Sequence, residues 1–193
     1  DLDYMQEQYK KEPENLPNLQ IPVTDGRYDD LWEEVTEASI DCFDKHWSAY
    51  FDFHYAYLIA RNLSKGKEVV ATITTFLEGL ELQRQFQKPY ISTIYENMVI
   101  PICKGLFAYF ERRFDEAYTE MSSVFKQPKT KENVGDRNFR HNGIGGSFAQ
   151  REVLDEIWCQ ILVETKKYSE LEQFLRERGD FHCVDQQNRT TGP

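Results

Sequence analysis

The chain has 193 residues, 40% of them hydrophobic, 14% aromatic and 29% charged, which is enough apolar material for one domain with a real core and excludes a disordered chain. Its formal net charge of -10 argues against a nucleic-acid binder and against attraction to an anionic membrane. A solvated acidic surface accounts for that charge, with an acidic groove that recruits a basic partner as the alternative.

Residues 1–26 hold Pro13, Pro17 and Pro22 among Glu, Asn and Gln, and read as an extended lead-in that Leu16, Leu19 and Ile21 can anchor. Residues 27–184 read as a helical-repeat domain and 185–193 as a polar tail. The first helix, 27–44, follows from Tyr28, Leu31, Trp32, Val35, Ser39 and Cys42 at helical spacing, with Asp29, Asp30 and Glu33 at the positive end of the dipole. The second, 47–64, is crowded with Trp47, Tyr50, Phe51, Phe53, Tyr55 and Tyr57, with His54 among them. Gly66 punctuates, and a third helix over 67–86 turns Ile73, Phe76, Leu77 and Leu80 inward. The fourth, 90–111, contains Pro101. A proline there removes one backbone donor and crowds the carbonyl of Asn97, which predicts a kink. The fifth, 113–126, leads to a polar loop, 127–142, with Lys126, Lys129, Lys131, Arg137, Arg140 and His141 at or near it. The stretch from Gly143 to Ser147 launches the sixth helix, 147–166. Ser147 is a good N-cap, Gln150 completes a capping box, and Leu154, Ile157, Trp158, Ile161 and Leu162 form the buried stripe. A seventh helix, 168–178, ends at Gly179.

One five-residue plan recurs: Arg27-Tyr28-Asp29-Asp30-Leu31, Arg113-Phe114-Asp115-Glu116-Ala117 and Lys167-Tyr168-Ser169-Glu170-Leu171, with Lys67-Glu68-Val69-Val70 as a degraded copy. Each opens a helix. The aromatic seals the turn, the acids face the dipole, and the fifth residue starts the packing stripe. Helix pairs opened this way mark tetratricopeptide-type hairpins, and the irregular spacing of the copies excludes a regular 34-residue array. The segments from Val99 to Leu106, from Arg113 to Ala117 and from Ile144 to Val153, the last with Gly145-Gly146-Ser147-Phe148-Ala149-Gln150-Arg151, resemble the C-terminal part of the tetratricopeptide repeat protein 38 family. Trp47 through Leu77 is similar to the preceding helix pair of that family. The resemblance spans roughly residues 28–178 and implies a fold without an assigned activity. The loop 127–142 is longer than the family's connection. Further repeats precede this region in the family, so these residues are expected to supply part of any groove built across repeats.

Candidate chemistry is sparse. The helix start at Gly145, Gly146 and Ser147, with Arg151 one turn on, is a weak anion site, read otherwise as a tight turn. It lacks the Gly-Lys-Ser/Thr ending of a phosphate-binding loop. Ser147 with His141 or His54 makes no nucleophile elbow. His182, Cys183, Cys159 and His141 have no metal-ligand spacing, so neither a metal nor a cofactor is expected. The four cysteines, Cys42, Cys103, Cys159 and Cys183, read as free thiols. No apolar run is long enough to span a bilayer, and no leader-like segment opens the chain. The start at Asp1 rather than methionine reads as a fragment or a processed product. A cytoplasmic setting is expected, or a secreted one if the glycosylation triplets at Asn62 and Asn188 are used.

The expected fold is all-α: about seven antiparallel helices in a tetratricopeptide-like αα-superhelix. The expected function is non-enzymatic, a concave aromatic-lined face on which Trp47, Tyr50, His54 and Tyr57 bind a peptide or protein partner. The alternative is a small-molecule or cofactor binder, alone or as an enzyme subunit, using the pocket around 47–57 or the Gly145-Gly146-Ser147 helix start. Nucleic acid and membrane are not expected partners.

Overall fold

Helix α1 (Asp29–Ser39) tightens into one 3-10 turn, Ile40–Cys42, and gives way to a short connector in which the Lys45 amide donates to the Cys42 carbonyl at 3.1 Å. The structure, a computed structural model, describes residues 29–63, 70–126, 144–145 and 148–178. After α1 come α2 (Ala49–Leu63) and α3 (Val70–Phe86). Helix α4 has three parts: an α-helical start, Pro89–Ile94, a π-helical turn, Tyr95–Val99, and an α-helical second half, Ile100–Phe110. Then follow α5 (Phe114–Phe125), α6 (Phe148–Glu164) and α7 (Tyr168–Arg178). Among the described residues there are seven helices and no strand, as an all-α reading of the sequence requires. The lead-in, the loop 127–142, the tail, Gly66 and Gly179 lie outside the described residues.

Helix α2 is the central element. It contains neither glycine nor proline, and it packs against α1, α3 and the second half of α4. Its residues from Asp52 to Asn62 are buried, His54 alone being half-buried. Enclosure on several sides explains why the helix carries more aromatics than one stripe needs. From α4 onward the helices pack in sequence: α4 on α5, α5 on α6, α6 on α7. Phe53, Ile59, Leu80, Ile102, Leu106, Met121, Leu154, Ile157 and Ile161 are fully buried in a single core.

Proline lies where the sequence puts it, and the backbone answers with a π turn one step upstream. The Ile100 amide donates five residues back, to the Tyr95 carbonyl. Pro101, lacking an N–H, then restarts the α-helix at one of its first two positions, where no donor is needed. The Thr93 carbonyl is satisfied by the side-chain amide of Asn97 at 3.1 Å.

The recurring five-residue plan has one backbone form in the two copies that are fully described. After α4, Arg112 takes a φ of 61°, its amide donates to Tyr109, and the Arg113 amide reaches back to Ala108 at 2.8 Å. After α6, Lys166 takes a φ of 58°, its amide donates to Val163, and the Lys167 amide reaches Leu162 at 2.8 Å. These are Schellman turns, with Arg and Lys standing in the left-handed position that glycine usually fills. Arg113 and Lys167 each offer their carbonyl to the amides of the third and fourth residues of the next helix, Glu116 and Ala117 in one case and Glu170 and Leu171 in the other. Arg27 and Tyr28 of the first copy lie outside the described residues.

Candidate functional site

The connector before α2 contains His46, whose φ of 45° turns the chain so that Trp47 leaves the core. Trp47 is 62% exposed and Phe51, one helical turn on, is 41% exposed. Their rings meet edge to face at 6.1 Å. Phe51 also contacts Tyr50 at 5.4 Å and stacks on Tyr55 at 6.0 Å. Tyr50 lies 4.4 Å from the His54 ring, and His54 lies 3.9 Å from Phe53. The result is a ladder of rings that begins in solvent at Trp47 and ends in the core at Phe53, which has no exposed surface.

His54 is oriented by its own helix. Its Nδ1 lies 2.7 Å from the Tyr50 carbonyl, and a carbonyl can only accept, so Nδ1 carries the proton. Burial pulls the His54 pKa down and outweighs the opposing effect of that bond. The imidazole is therefore neutral at pH 7, with Nε2 as an acceptor.

Of the four residues expected to line the binding face, the structure groups Trp47, Tyr50 and His54. Tyr57 is elsewhere. It is only 6% exposed, lies 5.6 Å from Trp32 and 5.4 Å from Phe110, and belongs to the packing of α2 against α1 and α4. Burial raises its pKa, with Arg61 working against that rise. The Arg61 guanidinium covers the Trp32 ring at 4.9 Å. Period counting put Tyr57 two turns from Tyr50, and only the position of α1 shows that it is covered.

Of the expected anion site, Gly145 alone is fully described. Its φ is 90°, a conformation a side chain rarely adopts, and a Cβ there would come within 3.8 Å of the Tyr50 Cβ. The chain preceding α6 therefore passes against the aromatic face, and the buried Ile144 holds it there. Gly146 and Ser147 lie outside the described residues, as does the Arg151 side chain.

Beneath the rings lies a polar network that the motif reading did not find. Asp52 has no exposed surface. Its Oδ1 is 3.0 Å from Nδ1 of His46, and its Oδ2 accepts from the Tyr95 hydroxyl at 2.7 Å. Cys103 directs its thiol to the Asp52 carbonyl at 4.0 Å. From α3, Gln83 donates to the His46 carbonyl at 3.2 Å, and Phe76 packs on the His46 ring at 5.2 Å. Burial first and then the Asp52 hydrogen bond push the Tyr95 phenol far above its ordinary value, and burial followed by the Asp52 charge does the same to the Cys103 thiol. A phenol and a thiol so raised stay protonated, so this enclosed group has the character of a positioning network rather than of a nucleophile. The signal that could have found it is Asp52 itself, an acid set between Phe51 and Phe53 in an aromatic run.

A shallow open cleft of about 290 Å³ lies nearby, lined by Ile40, Phe43, Asp44, Thr72, Thr75 and Phe76. Among the described residues no cluster of three His, Cys, Asp or Glu side chains could hold a metal. Cys159 is buried in α6, while His141, His182 and Cys183 lie outside the described residues. The Asn62 side chain is buried and donates to the Leu58 carbonyl at 3.0 Å, which leaves the first glycosylation triplet without an accessible acceptor. Asn188 lies outside the described residues. No described helix is long and apolar enough to cross a membrane. No protein-family model matches the chain, and neither a curated protein nor a solved structure matches it.

Proposed function

We propose that the protein is a non-enzymatic helical-repeat module that binds a peptide or protein partner on the face formed by Trp47, Tyr50, Phe51 and His54. The observation that carries this reading is the exposure of Trp47 and Phe51, large rings held in fixed mutual contact by a ladder rooted in the core. Rigid aromatics of this kind supply contact area at little entropic cost, and tryptophan and tyrosine dominate binding hot spots. His54 Nε2 and the Tyr50 hydroxyl add polar groups beside the apolar anchor. The acidic chain favours partners whose apolar anchor is flanked by basic residues. A tetratricopeptide-like superhelix is part of the same proposal. It is supported by the shared Schellman turns of the α4–α5 and α6–α7 hairpins and by the resemblance in the Gly-Gly-Ser segment. A cytoplasmic setting is proposed as well, supported by the free thiols of Cys42 and Cys103 and by the burial of Asn62.

The test is selection of a phage-displayed peptide library on the wild-type protein, followed by fluorescence anisotropy with the enriched peptide. Trp47→Ala and Phe51→Ala should each weaken binding by roughly tenfold or more. Leu31→Ala, which removes an exposed apolar side chain beside Trp32, at the end of α2 away from Trp47, should leave affinity unchanged. Equal affinities in all three variants would remove this face from consideration.

A further inference from the structure

We propose that the π turn of α4 and the Asp52 carboxylate form a conformational relay that sets the pose of the aromatic face. Its consequence for binding rests on the reading of that face given above.

Asp52 is in the first turn of α2, between Phe51 and Phe53, and its amide accepts its place in the helix by donating to the Ser48 carbonyl at 3.0 Å. Its two carboxylate oxygens are held by groups from two different elements. His46 holds Oδ1 and immediately precedes Trp47, so that bond fixes the departure angle of the tryptophan. Tyr95 holds Oδ2 and is the first residue of the π turn. The first turn of α2 is thus tied through one buried carboxylate both to the connector and to a turn of unusual winding. A π turn holds one residue more than an α turn. Annealing it to α-helix would move Tyr95 by one register position relative to Ile100–Phe110, about 100° around the axis and about 1.5 Å along it. The phenol would leave Asp52, and a buried carboxylate that loses a donor must recover one from water or from a moved chain. The turn therefore has two discrete windings, one that pins the face and one that releases it. Tyr95 is a positioning residue in this relay, acting through Asp52.

The chain has three tryptophans, Trp32, Trp47 and Trp158, so 5-fluorotryptophan labelling reports three places at once by 19F NMR. Tyr95→Phe removes the donor and keeps the ring. Deleting Asn97 removes the extra residue of the turn. Tyr95→Phe, the milder change, carries the test should the deletion fail to fold. The expected result is a shifted or broadened Trp47 resonance with Trp158 unchanged. Amide exchange should rise by roughly tenfold or more across residues 49–53, with α6 and α7 unaffected. An unchanged Trp47 resonance, or exchange that rises equally in α6 and α7, overturns the relay whatever any peptide does. If the relay signature appears while Trp47→Ala leaves peptide affinity intact, the relay stands and the binding assignment falls.

Discussion

The two halves of the molecule are held together by different means. From the connector before α2 to the π turn, the chain converges on one buried carboxylate, with an imidazole and a phenol on its two oxygens. From α5 to α7, the helices converge on a stack of rings. Trp158 of α6 lies nearly parallel between Tyr118 at 5.6 Å and Phe125 at 5.0 Å, both from α5, and Phe125 passes the contact to Phe174 of α7 at 6.0 Å. A stack tolerates sliding and gains mainly from area. A hydrogen-bonded carboxylate permits one arrangement and penalises every other. The half that displays the exposed rings is the half that specifies its geometry.

The sharpest way to break that comparison is to remove each centre. Trp158→Ala should cost about 3–5 kcal/mol, since the cavity it leaves is lined by rings. Asp52→Ala should cost about 2–4 kcal/mol, because the Tyr95 hydroxyl and the His46 imidazole lose their acceptor inside the core. The distinguishing measurement is rescue. Added indole should restore part of the thermal stability of Trp158→Ala by filling an apolar hole and should do nothing for Asp52→Ala. Equal rescue of both, or of neither, would erase the difference between the halves.

Two glycines refine it. A Cβ at Gly79 of α3 would lie 2.1 Å from Nε2 of His46, and one at Gly105 of α4 would lie 2.3 Å from Cγ of Met121. The distances are nearly equal and the neighbours are not. Methionine has three rotatable bonds and can yield, and the alanine gains about 1 kcal/mol of helix propensity in partial return. His46 can yield only by leaving Asp52. Gly79→Ala should therefore destabilise by about 2–3 kcal/mol and Gly105→Ala by less, about 1–2 kcal/mol, measured by urea denaturation. A larger loss at Gly105 would show that the second half is packed as tightly as the first.

Local signals in the chain announce much of this and miss what is long-range. The helices are legible because apolar residues recur at 3.6 and because Pro89, Pro101 and the Arg113 and Lys167 turns punctuate them. Proline at 101 is readable as a disturbance, but whether the backbone kinks or adds a residue depends on Tyr95 finding Asp52, 43 residues away in sequence. The exposed part of the face, Trp47 with Tyr50 and His54, is readable as an excess of rings. Tyr57 is not separable from them by periodicity, since its burial depends on Trp32 and Phe110 of other helices. His46 carries no motif at all. Its role follows from a positive φ and a nearby glycine on another helix, neither of which leaves a pattern in one sequence.

The smallest expected effect lies at the outer edge of the stack. Glu170 of α7 receives the Tyr118 hydroxyl at 3.0 Å and the Lys126 ammonium at 2.7 Å, while Lys126 and Lys167 stand over the Tyr118 ring at 4.6 and 4.2 Å. Burial raises the Glu170 pKa, but the bonds from Lys126 and Tyr118 outweigh it and hold the carboxyl below its ordinary value of 4.5. A carboxyl lowered in the folded state binds fewer protons there than in the unfolded chain. Its contribution is thus complete above pH 4.5 and is lost as pH falls through the folded value. More than a third of both charged side chains is open to solvent, so screening limits the pair to about 0.2–1 kcal/mol. Glu170→Gln should lower the urea midpoint slightly and by a constant amount at any pH well above 4.5, and the gap from wild type should close as the buffer is acidified below it. High salt should narrow the gap at neutral pH, because at about 1 M the Debye length shrinks to about 3 Å. A gap that persists unchanged in acid and in salt would mean that the glutamine acts through packing or geometry and that the charge of Glu170 contributes nothing to the stack.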